Sequence, residues 1–262
     1  METPPQISFV LPCYNEGRRI GSSLATLESW FSGTAEILVV DDGSADDTAE
    51  HAERYAATRP SVRIHRAPHR GKGAAVRTAI PLVRGAAVVV IDADLAFDRG
   101  SVQRAVDALA DADMVVGNRR HHDSYYSVPV RLFGFLYRRH LVGLVFNVFV
   151  RSLLQVGLRD TQCGLKAFRR PSLERIAPAL SVNGFALDVE MLVVARALKL
   201  RMIEIPVQVR YESAKSSVKL ALSARSMTGE ILTIALRRAL GRYAPARLRR
   251  LAAAASGVSP QP

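Results

Sequence analysis

Short aliphatic, largely β-branched runs at 7–11, 37–40, 62–65, 86–91 and 114–117 alternate with helix-periodic segments at 18–30, 48–58, 72–83 and 102–109. Strands apolar on both alternating faces must be covered on both sides, and helical crossovers of this length join parallel neighbours. The order predicts βαβ units: a doubly wound α/β fold with a mostly parallel sheet and helices on both faces. The second half is less regular. Residues 130–158 read as a helix, apolar on most sides yet studded with arginines. Strands are expected at 165–169 and 202–209, the latter closed early by Pro206, with helices at 188–198 and 227–240 and a frayed tail at 252–262.

At 262 residues, 48% of them hydrophobic and 23% charged, the chain can bury one large core, which excludes general disorder. Its two cysteines, Cys13 and Cys163, stand far apart and outside any metal-ligand spacing. Reduced thiols in a cytosolic setting are expected, not a disulfide scaffold. No secretory leader is legible, and no apolar run reaches the roughly 20 residues that a spanning helix needs.

In an open α/β sheet, ligands bind beyond the carboxyl ends of the strands. The polar clusters of this chain fall there: Pro12-Cys13-Tyr14-Asn15-Glu16, Asp41-Asp42-Gly43-Ser44 and Asp92-Ala93-Asp94. Grouped carboxylates repel one another unless a cation or a donor-rich ligand satisfies them. Alternate side chains of a near-extended turn project to one side, so Asp92 and Asp94 can converge on a hard divalent ion, magnesium or manganese. The plainer alternative is a helix N-cap with a spare acid. Arg70-Gly71-Lys72-Gly73 is a basic, glycine-punctuated turn opening a helix, a place that favours anions. It lacks Walker A spacing, and no GxGxxG follows the first strand, which counts against a dinucleotide-binding dehydrogenase.

The net charge of +12 is concentrated. Residues 118–151 hold six arginines against Asp123 alone, and six more arginines follow Glu230 with no acid among them. Basic stretches interleaved with Phe, Leu and Val suit an anionic membrane surface. Nucleic acid is the rival partner, opposed by the acidic strand ends, which would repel phosphates.

Val10-Leu11-Pro12-Cys13-Tyr14-Asn15-Glu16, Val39-Val40-Asp41-Asp42-Gly43-Ser44, Arg70-Gly71-Lys72-Gly73 and Asp92-Ala93-Asp94-Leu95 resemble the ordered motifs of glycosyltransferase family two. Asp160-Thr161-Gln162-Cys163-Gly164-Leu165-Lys166 narrows the resemblance to the polyprenyl-phosphate and dolichyl-phosphate glycosyltransferases, the dolichyl-phosphate β-glucosyltransferase-like branch in particular. Phe185-Ala186-Leu187-Asp188-Val189-Glu190 and Glu204-Ile205-Pro206-Val207 fit it too. The resemblance implies a GT-A domain over 1–220, followed by an amphipathic basic helix and flexible tail over 221–262. It implies that Pro12, Tyr14, Glu16 and Asp41 line the base and ribose, with Lys72 near the base or diphosphate. Asp92 would contact ribose or metal beside Ala93 at the donor, and Asp94 would ligate the metal directly. Arg119 would lie near a donor or acceptor phosphate. Asp160, Gln162, Asp188 and Glu190 would border the transferred sugar, and Lys215 and Lys219 would belong to a basic loop closing over the diphosphate.

The implied reaction moves a hexose from a nucleotide-sugar donor to a polyprenyl phosphate with inversion, UDP-glucose being favoured over GDP-mannose. A phosphate acceptor is anionic at neutral pH and needs no strong base, though Asp160 or Asp188 would serve if one were used. The absence of a QxxRW motif argues against polysaccharide synthesis. The expected location is peripheral, on the cytoplasmic face of the membrane. Residues 130–158 and 227–250 would dock it, or a membrane-protein partner would help. A soluble phosphorylated acceptor and a non-catalytic basic binding subunit are the competing readings.

Overall fold

The structure is a computed structural model and describes residues 5–127, 133–210 and 220–255. Its strands are β1 (Ile7–Cys13), β2 (Ala35–Asp41), β3 (Val62–Arg66), β4 (Ala87–Val90), β5 (Met114–Asn118), β6 (Tyr125–Ser127), β7 (Lys166–Arg169), β8 (Met202–Pro206) and β9 (Gln208–Arg210). Its helices are α1 (Ile20–Trp30), α2 (Thr48–Ala56), α3 (Lys72–Ala79), α4 (Arg99–Asp107), α5 (Phe133–Leu154), α6 (Arg170–Ile176), α7 (Leu187–Ala197), α8 (Leu220–Ala239) and α9 (Pro245–Ala255). One sheet runs β3-β2-β1-β4-β7-β5-β8 and is parallel except for β7, which lies antiparallel between β4 and β5. The expected doubly wound, mostly parallel sheet is present. Phe9, Leu11, Val39, Val88, Val89 and Val115 are all buried, as strands covered on both faces require. Ile20, Leu24 and Leu27 make the single apolar stripe of α1.

Several boundaries differ from expectation for identifiable reasons. The helix expected over 72–83 ends at Ala79 and tightens into a 3-10 turn, Ile80–Leu82, around Pro81. The strand expected over 202–209 is two strands. Pro206 closes β8, and Gln208–Arg210 then pairs in parallel with β6 as a separate two-stranded sheet. The helix expected over 130–158 is α5; residues 128–132 lie outside the described residues. The helix expected over 227–240 starts at Leu220, and residues 252–255 of the expected frayed tail continue α9, which opens on Pro245. Residues 256–262 lie outside the described residues.

The C-terminal helices are tied into the core. Ile231, Ile234, Tyr243 and Leu248 are buried, and α9 packs on α6. The Tyr243 hydroxyl donates to Glu190 Oε1 at 2.7 Å. A hydrogen bond to a buried charge contributes about 1.5–3 kcal/mol, so Tyr243→Phe is expected to lose about that much stability. Urea unfolding checks it: the midpoint should fall with an unchanged m-value.

Candidate active site

The ends of β1 and β2 are stapled to each other. Asn15 adopts φ +56°, and from there its side-chain oxygen accepts from Ala45 N at 2.8 Å while its amide donates to Ser44 Oγ at 2.9 Å. Ser44 Oγ in turn donates to Asp41 Oδ1 at 2.5 Å, holding that carboxylate at the carboxyl end of β2. Pro12 is buried within β1, and Glu16 pairs with Arg19 at 3.0 Å. Tyr14 is exposed and stacks on His69, with ring centroids 4.0 Å apart and planes 20° from parallel. His69 is a residue the sequence reading missed.

The basic turn is arranged differently from the expected anion cradle. Asp42, buried, accepts from Arg70 N at 2.9 Å and Gly71 N at 2.8 Å, and its carboxylate lies 2.8 Å from His69 Nδ1. The Arg70 and Gly71 amides of the turn are thus taken up by a carboxylate of the chain. Gly71 is needed here: φ is +108°, open to glycine alone at low cost, and an added Cβ would fall 2.6 Å from Asn183 O.

Lys72 opens α3 and lies 2.7 Å from Asp92 Oδ1 and 3.5 Å from Asp188 Oδ2. Lys166, on β7 and buried, lies 2.9 Å from Asp188 Oδ1 and donates to Cys163 O at 2.6 Å. The four side chains form a row of alternating charge, Lys166–Asp188–Lys72–Asp92, ending at the acidic pair beyond β4. Burial pushes the Lys72 ammonium down, but Asp188 and Asp92 outweigh it and raise it above the ordinary lysine value. Burial likewise pushes Asp188 up, yet Lys166 and Lys72 hold it below the usual aspartate value. Asp94 goes the other way. Desolvation of its carboxyl, then repulsion from Asp92, raise its pKa above the ordinary value, although the residue itself is exposed.

These residues fit a hard divalent cation. Two neighbouring carboxylates, one of them reluctant to ionise beside the other, are relieved by positive charge, and oxygen donors suit magnesium or manganese. The Asp160–Lys166 segment also leaves room for Asp92: a Cβ on Gly164 would sit 2.6 Å from Asp92 Oδ2. Among the described residues, the His121, His122 and Asp123 side chains form a separate exposed group of metal-capable atoms.

Behind this cluster, Arg119 grips Asp160. Its Nε lies 2.7 Å from Oδ2 and its terminal nitrogen 2.9 Å from Oδ1, and the Arg119 amide adds a third bond at 3.1 Å. Two of the Arg119 guanidinium nitrogens are thus engaged by a fully buried carboxylate, an ion pair the sequence did not reveal. Burial pushes Asp160 up, but the Arg119 hydrogen bonds and charge hold it below the ordinary value. Glu190 stands apart from the cluster as well. Fully buried, it accepts from Ser181 N and Oγ, Val182 N and Tyr243, so it frames the turn ahead of α7. Gln162 carries a buried Nε2 with no hydrogen-bond partner. Both cysteines are free and buried; burial raises the Cys163 thiol to about 12, leaving it inert as a nucleophile. Lys215 and Lys219 lie outside the described residues.

The site thus brings together an acidic pair, a buried lysine and an orphaned amide. The model of the glycosyl transferase family 2 matches residues 8–177, and the chain belongs to that family. It is 33% identical over 217 residues to the dolichyl-phosphate beta-glucosyltransferase of Dictyostelium discoideum, covering 77% of this chain and 65% of that protein. It is 34% identical over 210 residues to glycosyltransferase AglD of Haloferax volcanii, covering 77% of this chain and 32% of that protein. The chain thus spans less than two thirds of the length of either relative. The crystal structure of Mycobacterium tuberculosis glucosyl-3-phosphoglycerate synthase with Mn2+, UDP and glucosyl-3-phosphoglycerate shares the fold at TM-score 0.61 and 22% identity, over 88% of this chain and 80% of that one. Among the described residues, no helix is long and apolar enough to cross a membrane.

Proposed function

We propose that the chain transfers a hexosyl group, glucose from UDP-glucose, to the phosphate of a polyprenyl carrier with inversion, at the cytoplasmic face of a membrane. The observation that carries this is the ion pairing of the two candidate bases, Asp160 with Arg119 at 2.7 Å and Asp188 with Lys166 at 2.9 Å. Asp160 and Asp188 are each clamped by cations that hold them below the ordinary aspartate value. Neither is suited to take a proton from a sugar hydroxyl at neutral pH. An acceptor phosphate brings its own negative charge and asks for no such base. The relatives named as dolichyl-phosphate glucosyltransferases support a lipid-borne phosphate, and the fold neighbour's Mn2+ and UDP support a metal-assisted nucleotide donor.

In this reading Asp92 and Asp94 hold magnesium or manganese, which when bound supplies positive charge against the leaving diphosphate. Tyr14, with His69 stacked on it, and Pro12 receive the base; Glu16, Asp41 and Ala93 border the ribose. Lys166 and Asp188 fix the Lys72 ammonium at the donor's charged end. Gln162 Nε2, otherwise unpartnered, is free to donate to a hydroxyl of the sugar. These groups position donor and acceptor for in-line attack. Lys215 and Lys219 would add charge over the diphosphate.

The test is a panel of radiolabelled UDP- and GDP-sugars offered with manganese and either polyprenyl phosphate or 3-phosphoglycerate. Label from UDP-glucose is expected in the lipid phase. Label in the aqueous product instead would assign a soluble acceptor, GDP-mannose as the sole donor would reassign the sugar, and no transfer or hydrolysis at all would leave a binding subunit.

A further inference from the structure

Two helices that pack on each other expose apolar side chains the core does not use. On α5, Val145, Phe149 and Leu153 recur every fourth residue, and Val145 is 73% exposed. On α8 and just past it, Leu232, Leu236 and Leu240 recur at the same spacing, exposed at 53%, 60% and 65%. The opposite faces are anchored. Val150 and Leu154 of α5 and Ile231 and Ile234 of α8 are buried, and the Arg238 guanidinium donates to Leu154 O, joining the two helices. A single exposed leucine signifies nothing, but two parallel-spaced apolar stripes on neighbouring helices mark an interaction surface.

The surrounding charge identifies the partner. No acid occurs between Asp123 and Asp160 or after Glu230. Arg151, Arg238, Arg242, Arg247 and Arg250 are exposed. A second copy docking through the same face would set arginine against arginine. An anionic bilayer satisfies both features: leucines enter the headgroup boundary while guanidinium groups meet lipid phosphates.

We propose that the outward stripes of α5 and α8 are a docking face for an anionic lipid bilayer. The proposal rests on the lipid-acceptor reading for its purpose, and takes it further by naming the face that meets the lipid. The same helix reaches the active site. The Glu230 carboxylate, two residues before Leu232, accepts from Gly184 N at 2.9 Å and Ala186 N at 3.1 Å, in the segment just ahead of Asp188. A bilayer covering α8 therefore stands at a fixed distance from the donor site.

Co-sedimentation of the full chain with phosphatidylcholine vesicles, with and without phosphatidylglycerol, tests it by binding alone. Binding is expected only with phosphatidylglycerol, and it should weaken as salt rises. The triple variant Leu232→Ser, Leu236→Ser, Leu240→Ser should bind at least roughly tenfold more weakly. Arg242→Gln with Arg247→Gln should weaken binding while flattening its salt dependence. Unchanged UDP binding and circular dichroism in each variant would show that the fold survives. No binding of the intact chain to anionic vesicles at low salt, or binding undiminished in the triple variant, would overturn the proposal. So would a dimer in light scattering that the triple variant loses, which would give the face to a second copy. Vesicle binding without transfer to polyprenyl phosphate would instead sink the acceptor reading and leave the docking face standing.

Discussion

Asp94→Asn is expected to abolish transfer and manganese-dependent donor binding while leaving the chain folded. The residue lies beyond β4 and is exposed as a whole, and its carboxylate accepts one backbone amide, Ala96 N at 3.2 Å, which an asparagine oxygen can also serve. What the substitution removes is charge. Changing the groups that merely orient metal ligands already costs about 10–100-fold in affinity or activity, so loss of a ligand should exceed that. Calorimetric titration of UDP with and without manganese reads the effect directly. The pH dependence follows from the same site. Crowding and Asp92 raise the Asp94 pKa, and only the ionised form ligates, so donor affinity should fall on acidification at a higher pH than an ordinary aspartate would give. Wild-type turnover in Asp94→Asn, or donor affinity indifferent to pH through that range, would remove Asp94 from the metal site.

Some of the site was legible because it is local. Asp41, Asp92 and Asp94 follow directly on apolar strands, and strand ends are where ligands collect whatever the rest of the chain does. The parallel core was legible for a similar reason, since unbroken runs such as Val88-Val89-Val90-Ile91 can only be covered on both faces. The rest depends on contacts distant in sequence. That β7 runs antiparallel between β4 and β5 cannot be read from Lys166–Arg169, because strand composition carries no direction. Lys166 appears in the recognised heptad without a role; only the fold brings it to Asp188, which transfers the duty of the row of charges onto a strand residue. The basic turn misled because its obvious anion is Asp42, supplied by the chain itself. Glu190 stands two residues from Asp188, but such positions lie about 200° apart around a helix, and its carboxylate accepts from Ser181 and Tyr243. Tyr14 was visible and its stacking partner His69 was not, because nothing in a sequence marks two rings 55 positions apart as neighbours.

Arg119→Ala is expected to destabilise the protein more than it weakens any phosphate contact. Asp160 is fully buried, and the Arg119 guanidinium supplies two of its hydrogen bonds and its ion-pair partner. Stripping the partner from a buried ion pair costs about 3–5 kcal/mol, because the remaining charge is left desolvated. Against a typical domain stability of about 5–15 kcal/mol, that is about a fifth of the total or more. Arg119→Lys should recover only part, since an ammonium cannot reproduce the two-pronged geometry. The pH dependence separates this from a general packing defect. In the parent, Asp160 is held below the ordinary carboxylate value, so its stabilising contribution is complete above that range and is lost as pH falls through the depressed pKa. In Arg119→Ala only the backbone amides of residues 119 and 162 still oppose burial, so the Asp160 pKa rises relative to the parent and less stability is lost on acidification. The gap between the two should narrow on acidification, and Arg119→Ala combined with Asp160→Asn should be less destabilised than Arg119→Ala alone. Urea unfolding across neutral and mildly acid pH measures all three. An unchanged midpoint together with a raised KM for donor or acceptor would make Arg119 a ligand residue after all and return it to the phosphate site.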